Sequence, residues 1–232
     1  MMADKNTKRG SLIVISGFSG VGKGTVVKRL VSDFGYNLSV SATTRSPREG
    51  EVDGREYYFM DRKDFENLID YGGFIEWTQY VENYYGTPKK YVEEKLSDGK
   101  DVILEIEVMG ALNVKKQFPD ALLIFISAPS ISELKSRLAG RGTESEETII
   151  KRLRKATEEA EDMDKYDYII VNDDLDECIH TVDSVIRSYG CRRDNQLGYI
   201  AGIKEELAEI KNWITVDSSL EEYFNNHIRK GI

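Results

Sequence analysis

The stretch SLIVISGFSGVGKGT, residues 11–25, constrains this chain more than any other. A β-branched apolar run (Leu12, Ile13, Val14, Ile15) ends at Ser16 and enters the turn Gly17-Phe18-Ser19-Gly20-Val21-Gly22-Lys23-Gly24-Thr25. Beyond it Val26, Val27, Leu30, Val31 and Phe34 recur at helical spacing. A strand that passes through a glycine loop into a helix is the context in which such a motif binds phosphate. Glycines let successive N–H groups converge on a polyphosphate, and the helix N-terminus adds partial positive charge. Lys23 would then reach the β and γ oxygens, and a hydroxyl just past it would ligate Mg²⁺. Gly24 stands where serine or threonine is commonest, so Thr25 is the expected source of that hydroxyl. A turn that only joined strand to helix would need no lysine aimed into it. The expectation is a nucleotide-phosphate site.

The 232 residues are 40% hydrophobic and 31% charged, enough for one sizeable core with inserted parts. No apolar run approaches the roughly 20 residues of a membrane span, so no membrane partner is expected. The polar start, MMADKNTKRG, has no signal-like apolar segment, and Cys178 and Cys191 show no metal-ligand spacing. Both point to a reduced, cytoplasmic setting. A net charge of -9 excludes a general nucleic-acid binder, which needs a basic face, but leaves room for a few cations gathered around a nucleotide. His180 and His227 read as solvated helix residues.

Along the chain, residues 38–42 suggest a second strand, followed by a Pro/Gly loop carrying Arg45 and Arg48. Asp53-Gly54 signals a hairpin before a short aromatic strand at 56–59. Asp61 is a candidate cap for a helix with Phe65, Leu68 and Ile69, and Gly72-Gly73 would stop it. A strand at 74–81 leads through Asn83-Tyr84-Tyr85-Gly86 to Thr87-Pro88, read as helix cap and first helical residue. Strands at 101–106, 121–126 and 168–171 alternate with helices at 110–118 and 175–189, which predicts a parallel sheet covered on both faces. Residues 132–164 read as charged helix broken at Gly140-Arg141-Gly142-Thr143. After 190 a polar link precedes two short amphipathic helices, one with Ile203, Leu207, Ile210 and Trp213, the other with Leu220, Tyr223 and Phe224.

Segment 38–98 holds the informative polar set. Ser41, Arg45, Arg48, Tyr57 and Tyr85 suit a phosphate monoester, arginine through bidentate contacts and hydroxyls as neutral donors. Glu76, within Phe-Ile-Glu-Trp, is costly to bury unless something donates to it. Guanine would do so through N1–H and the N2 amino group, with Thr87 donating to O6, whereas adenine would set a lone pair against the carboxylate. An exposed strand glutamate is the plainer alternative. Glu105 and Glu107 share a face of their strand by its period of two, and suit the metal-phosphate zone. Arg137, Arg141, Arg152 and Arg154 could fold over a polyphosphate.

Together GFSGVGKGT, SVSATTRSPREGEVDGREYYF, FIEW, NYYGTP, LEIEVMGA, PDALLIFI, ELKSRLAGRGTESEE and YDYIIVNDDLD resemble the guanylate kinases, in their bacterial form, over residues 10–188. The resemblance implies an α/β fold: a P-loop three-layer αβα core with a parallel sheet (1–37 with 99–131 and 165–189). It also implies an inserted GMP-binding lobe (38–98) and a helical lid (132–164), leaving 190–232 as an extension of unreadable role. The implied reaction is ATP + GMP = ADP + GDP with Mg²⁺. By position, Ser41, Arg45, Arg48, Tyr57 and Tyr85 would hold the GMP phosphate. Glu76 and Thr87 would read guanine, with Glu107 near the base. Residues 17–25 would hold ATP, with Asn172 near its adenine, Thr25 and Glu105 toward the metal, and Arg137, Arg141 and Arg152 at the transferring phosphates. Phe18 departs from a commoner proline and Met109 from a commoner glutamine. Two rivals follow: an inactive guanylate-kinase-like interaction module, which degraded P-loops would mark, and a kinase for another nucleoside monophosphate. Oligomeric state is not legible.

Overall fold

The structure is a computed structural model that describes residues 9–80, 82–140 and 146–216. By contacts the chain divides into two units, Arg9–Gly190 and Cys191–Ile232 with the first eight residues. In the larger unit, five parallel strands form one sheet. They are β1 (Leu12–Gly17), β2 (Asn37–Leu38), β7 (Val102–Glu105), β8 (Leu122–Ser127) and β9 (Tyr168–Val171), in the order β2-β7-β1-β8-β9. Every residue of β1 is buried, as a central parallel strand requires. The helices that cover the sheet are α1 (Lys23–Phe34), α4 (Val108–Gln117), α5 (Ile131–Ala139), α6 (Glu146–Ala160) and α7 (Leu175–Gly190). Val26, Val27 and Leu30 of α1, and Ile179, Val182 and Ile186 of α7, join the strands in one apolar core. Side-chain bonds pin the strand ends: the Ser11 N–H donates to Asp101 at 2.7 Å and the Leu123 N–H to Asp167 at 2.8 Å.

This strand order decides where a ligand can sit. The first crossover leaves β1 toward β2 and β7, while β8 and β9 are laid down on the other side. The switch therefore falls at the carboxyl end of β1, where open α/β sheets bind ligands. Gly17 closes that strand with φ 148°, and a Cβ there would stand 2.1 Å from the Ile126 carbonyl oxygen. Only glycine lets the chain turn out of the sheet so close to its neighbour.

The second sheet is mixed. It runs β4 (Tyr58–Phe59), β3 (Ala42–Thr43), β6 (Asn83–Pro88), β5 (Phe74–Tyr80), with β3 parallel to β4 and antiparallel to β6. It packs with α2 (Arg62–Asp70) around a small core in which Phe65 stacks between Phe74 and Tyr84, centroids 4.4 and 5.3 Å away. Asp61 caps α2 as expected, accepting the Asp64 N–H at 2.8 Å. The helix α3 (Lys89–Ser97) returns the chain toward β7.

Three readings of the sequence need correction. The strand expected at 38–42 is two: Leu38 pairs with β7, and Ala42 pairs in the second sheet. The apolar pattern ran on because both sheets bury it. Asp53-Gly54 joins no antiparallel hairpin, since β4 runs parallel to β3; the turn is closed by Gly54 N–H to the Tyr57 carbonyl and by Asp53 accepting the Phe59 N–H. Thr87 is not a helix cap: it lies in β6, and Pro88 holds the cap position of α3. After Gly190 the first of the two expected helices is present as α8 (Leu197–Val216), longer than expected. It carries Ile203, Leu207, Ile210 and Trp213, while Leu220, Tyr223 and Phe224 lie outside the described residues.

Candidate active site

The P-loop leaves β1 and ends at Gly22, which precedes α1 with φ 100°. Phe18 sends its ring into the core, edge-on to Phe125 at 4.9 Å, and Val21 is likewise buried, so both serve the loop through their backbones. Lys23 is turned inward. Its Nζ donates to the carbonyls of Gly17 at 2.5 Å and Phe18 at 3.2 Å. Burial holds its pKa below the ordinary lysine value, against the pull of Glu107, Glu159 and Glu105. Thr25 is exposed in the first turn of α1. It lines a cleft of about 490 Å³ with Gly20, Gly22, Arg137 and Asn172. Asn172 donates from its side chain to the Val21 carbonyl at 2.9 Å, and its own carbonyl accepts from Arg137 at 2.8 Å. It is thus a wall of the P-loop cleft.

Acids and bases from β7, from the start of α4 and from α6 meet this loop. Glu105 ends β7 beside Gly24, whose added Cβ would lie 3.5 Å from its carboxylate. The ladder stops there, so Glu107 is not a strand residue as expected but the residue that precedes α4. Its carboxylate bonds Lys155 of α6. From the same helix Arg152 reaches Ser19 Oγ at 3.4 Å. Arg141 lies outside the described residues. Arg154 is exposed on α6.

In the second sheet Glu76 and Thr87 are direct cross-strand partners, and the Thr87 hydroxyl donates to Glu76 Oε1 at 2.8 Å. Both are buried. The other carboxylate oxygen faces α4 at Gly110, where a Cβ would stand 3.0 Å away. Burial pushes the Glu76 carboxyl up to about 7, and the Thr87 hydroxyl and N–H offset this only in part. The alternative of an exposed strand glutamate is therefore excluded.

Arg45, Tyr57 and Tyr85 also come together. The Arg45 guanidinium stands 5.5 Å from the Tyr57 ring centroid, and the Tyr57 and Tyr85 rings meet edge-on at 6.0 Å. Ser41 sits beside them on the strand approach, its carbonyl accepting the Tyr58 N–H. Arg48 is exposed. What the motif reading missed is Glu51. One of its oxygens takes Arg45 Nη2 at 2.9 Å and the other takes the Arg48 backbone N–H at 2.7 Å. The Arg48 N–H first, then Arg45, hold its carboxyl below the usual range. An acid three residues past an arginine in a turn was the available signal.

Fold and loop define a P-loop α/β protein. The guanylate kinase family model matches residues 9–189. Guanylate kinase from Bacillus anthracis is 50% identical over 203 residues, covering 87% of this chain and 99% of the relative. That from Bacillus subtilis (strain 168) is 49% identical over 189 residues, covering 81% and 93%. The crystal structure of guanylate kinase from Anaplasma phagocytophilum superposes with a TM-score of 0.67 at 31% identity, covering 81% of this chain and 89% of that one. The chain belongs to the guanylate kinase family.

Two outcomes follow from this geometry. A carboxyl raised from 4.5 to about 7 binds its proton more tightly folded than unfolded, so its contribution to stability falls as pH rises through that window. Wild type should therefore lose on the order of 3 kcal/mol relative to Glu76→Gln between pH 4 and 8. Urea unfolding of both proteins at the two pH values checks this, and an unchanged difference contradicts it. Glu51→Ala should release Arg45 and raise KM for GMP about tenfold, as loss of a charge-assisted contact does, with KM for ATP unmoved. Steady-state kinetics with each substrate varied in turn will show it.

Proposed function

We propose that this chain carries out ATP-dependent phosphorylation of GMP to GDP with the residues described above. The observation that carries the reading is the pairing of an intact P-loop with a buried Glu76–Thr87 pair. The inactive-module alternative is not favoured: Gly20, Gly22, Lys23 and Thr25 are all present, and the relatives at about half identity are guanylate kinases.

In this reading the P-loop N–H groups and Lys23 hold the ATP phosphates, and Arg137 and Arg152 offset charge on the group in flight. Arg45, Arg48, Ser41, Tyr57 and Tyr85 hold the GMP phosphate. Glu76 accepts from guanine N1–H and the N2 amino group. Thr87 has one hydroxyl proton, and in the structure it points at Glu76; guanine's donors satisfy that carboxylate and release the proton for O6. Mg²⁺ fits the donors available. Thr25 and Glu105 are oxygen donors beside the loop, and among the described residues no three His, Cys, Asp or Glu gather into a metal cluster. Thr25 and Glu105 would hold the ion beside the phosphates. When bound, it supplies charge neutralisation on the phosphate oxygens.

No helix of the described residues is long and apolar enough to cross a membrane. Small, charged substrates of this kind are met in the cytoplasm, and that is where we place the enzyme. We read 38–98 as the GMP-binding lobe, 132–164 as the lid, and 190–232 as an extension outside the chemistry.

A coupled assay of ADP release tests the proposal. GMP should be turned over, while AMP, CMP and UMP are rejected, AMP by roughly 10⁴-fold or more because it leaves buried polar groups unpaired. Glu76→Gln should narrow the GMP/AMP ratio, since an amide can donate to adenine N1; an unchanged ratio would remove Glu76 from base recognition. Lys23→Met should abolish turnover of a folded protein, and near wild-type kcat would show Lys23 to be misassigned.

A further inference from the structure

Glycine is costly inside a helix, because it gives up the most conformational freedom on folding and packs no side chain. Gly110 nevertheless stands in the first turn of α4, buried, next to the equally buried Ala111. Its backbone is ordinary helix, so no positive φ asks for glycine there. What a side chain would meet does ask for it. A Cβ on Gly110 would lie 3.0 Å from Glu76 Oε2, and 3.4 Å from Glu76 Cδ and from Ile106 Cδ1. Gly86 in β6 gives the contrast: a Cβ there would stand 3.0 Å from the Glu76 carbonyl oxygen and from ring atoms of Phe65 and Phe74. Gly86 answers to the packing of backbone and rings. At Gly110 the crowded atom is a carboxylate oxygen.

That carboxylate is not free to step aside. It is buried, and Oε1 takes the Thr87 hydroxyl at 2.8 Å from the strand opposite. The two oxygens are therefore told apart by their neighbours, Oε1 by Thr87 and Oε2 by the bare backbone of Gly110. The polar groups run in the order Thr87 hydroxyl, Oε1, Oε2. The edge of guanine runs O6, N1–H, N2 amino. Laid side by side, Thr87 faces O6, Oε1 faces N1–H, and Oε2 faces the amino group. Hypoxanthine, the base of IMP, keeps the first two groups and has a C–H in place of the third. The oxygen beside Gly110 is the one that distinguishes the two bases.

We propose that Gly110 is a positioning residue for base choice: by presenting no side chain to Glu76 Oε2 it keeps that oxygen in place for the 2-amino group of guanine, and so sets the preference for GMP over IMP. It acts through Glu76 and makes no bond of its own to the base. A methyl group at this position would shift the carboxylate by a few tenths of an ångström. Charge-assisted bonds to two adjacent N–H groups depend on distance and direction together, so a shift of that size is felt. The inference rests on the reading of Glu76 and Thr87 as the guanine site.

The test compares GMP with IMP in the coupled assay of ADP release, for wild type and for Gly110→Ala. Thermal unfolding first establishes that the variant is folded at the assay temperature. Wild type should prefer GMP by roughly 30-fold or more in kcat/KM, because IMP leaves one oxygen of Glu76 unpaired. Gly110→Ala should lower kcat/KM for GMP roughly tenfold or more, chiefly through KM, as loss of a charge-assisted bond does. IMP, which never used that oxygen, should lose less than about threefold. A glycine needed only for packing would cost both monophosphates alike, and that outcome, or no loss with GMP, overturns the proposal. If Gly110→Ala does not fold, the same change in a Glu76→Asp background decides. The shorter carboxylate clears the methyl group, so the double variant should fold and treat GMP and IMP alike to within about threefold. A double variant that also fails to fold, or that keeps the wild-type preference, refutes the role of Gly110. Should wild type phosphorylate neither nucleotide, the functional reading fails, while calorimetry with GMP and IMP still reports on the base site; a wild type that binds the two alike, or binds neither, overturns the proposal as well.

Discussion

An ammonium drawn into the protein has to find oxygen, and Lys23 organises the site by that need. Its nearest acceptors are the carbonyls of Gly17 and Phe18, which belong to its own loop. They satisfy its hydrogens but carry no full charge. The charge is met by Glu107, Glu159 and Glu105, which come from the start of α4, from α6 and from the end of β7. No local stretch of chain could supply this set. The sheet order does so, because β7 lies directly beside β1 and delivers its carboxyl end to the loop. A parallel sheet gathers the ends of distant segments on one edge, and the point where the strand order reverses marks the place.

That account also explains what was legible in the residues beforehand. The path from β1 through the loop to α1 is local, so apolar periodicity, glycines and one lysine were enough to read it. The strand at 168–171 came out with its observed bounds, since turn residues flank a short β-branched run. Where two sheets bury adjoining residues, as at Leu38 and Ala42, the same pattern concealed a break. Thr87 looked like a cap because threonine before proline usually is one. Its actual role depends on β5 lying opposite, a fact of pairing register that no local rule contains.

Glu51 and Glu159 were missed for a related reason. Both sit in stretches rich in acids, where a single carboxylate hardly stands out, and the arginine three residues before Glu51 was its one cue. Glu51 is set apart only by the loop that folds its two oxygens onto Arg45 and the Arg48 N–H. Glu159 lies at the end of a charged helix whose sequence reads as solvated, and only tertiary packing buries it. Glu51 braces Arg45 and the turn at Arg48, and Glu159 is closed in among the protein's own groups. Motif reading finds groups that meet a ligand and passes over those that hold them, because the latter are defined by where they fold.

The two carboxyls raised furthest toward neutrality differ in what burial does for them. Glu76, at about 7, has a hydroxyl on one oxygen and the open face of Gly110 beside the other. Its unmet capacity is on the side where a base bearing two donors would supply what water no longer does. A base bearing an acceptor there would meet a lone pair in a low-dielectric pocket, where the penalty is largest. Glu159, at about 6, has its capacity closed in among the protein's own groups, with Lys155 and Lys23 near. Nothing on that side invites a ligand. The same chemistry, a carboxylate largely deprived of water, is therefore left open to a neighbour in the second sheet and closed in beside the P-loop. What separates the two is whether the neighbouring residue, glycine in one case and lysine in the other, leaves room.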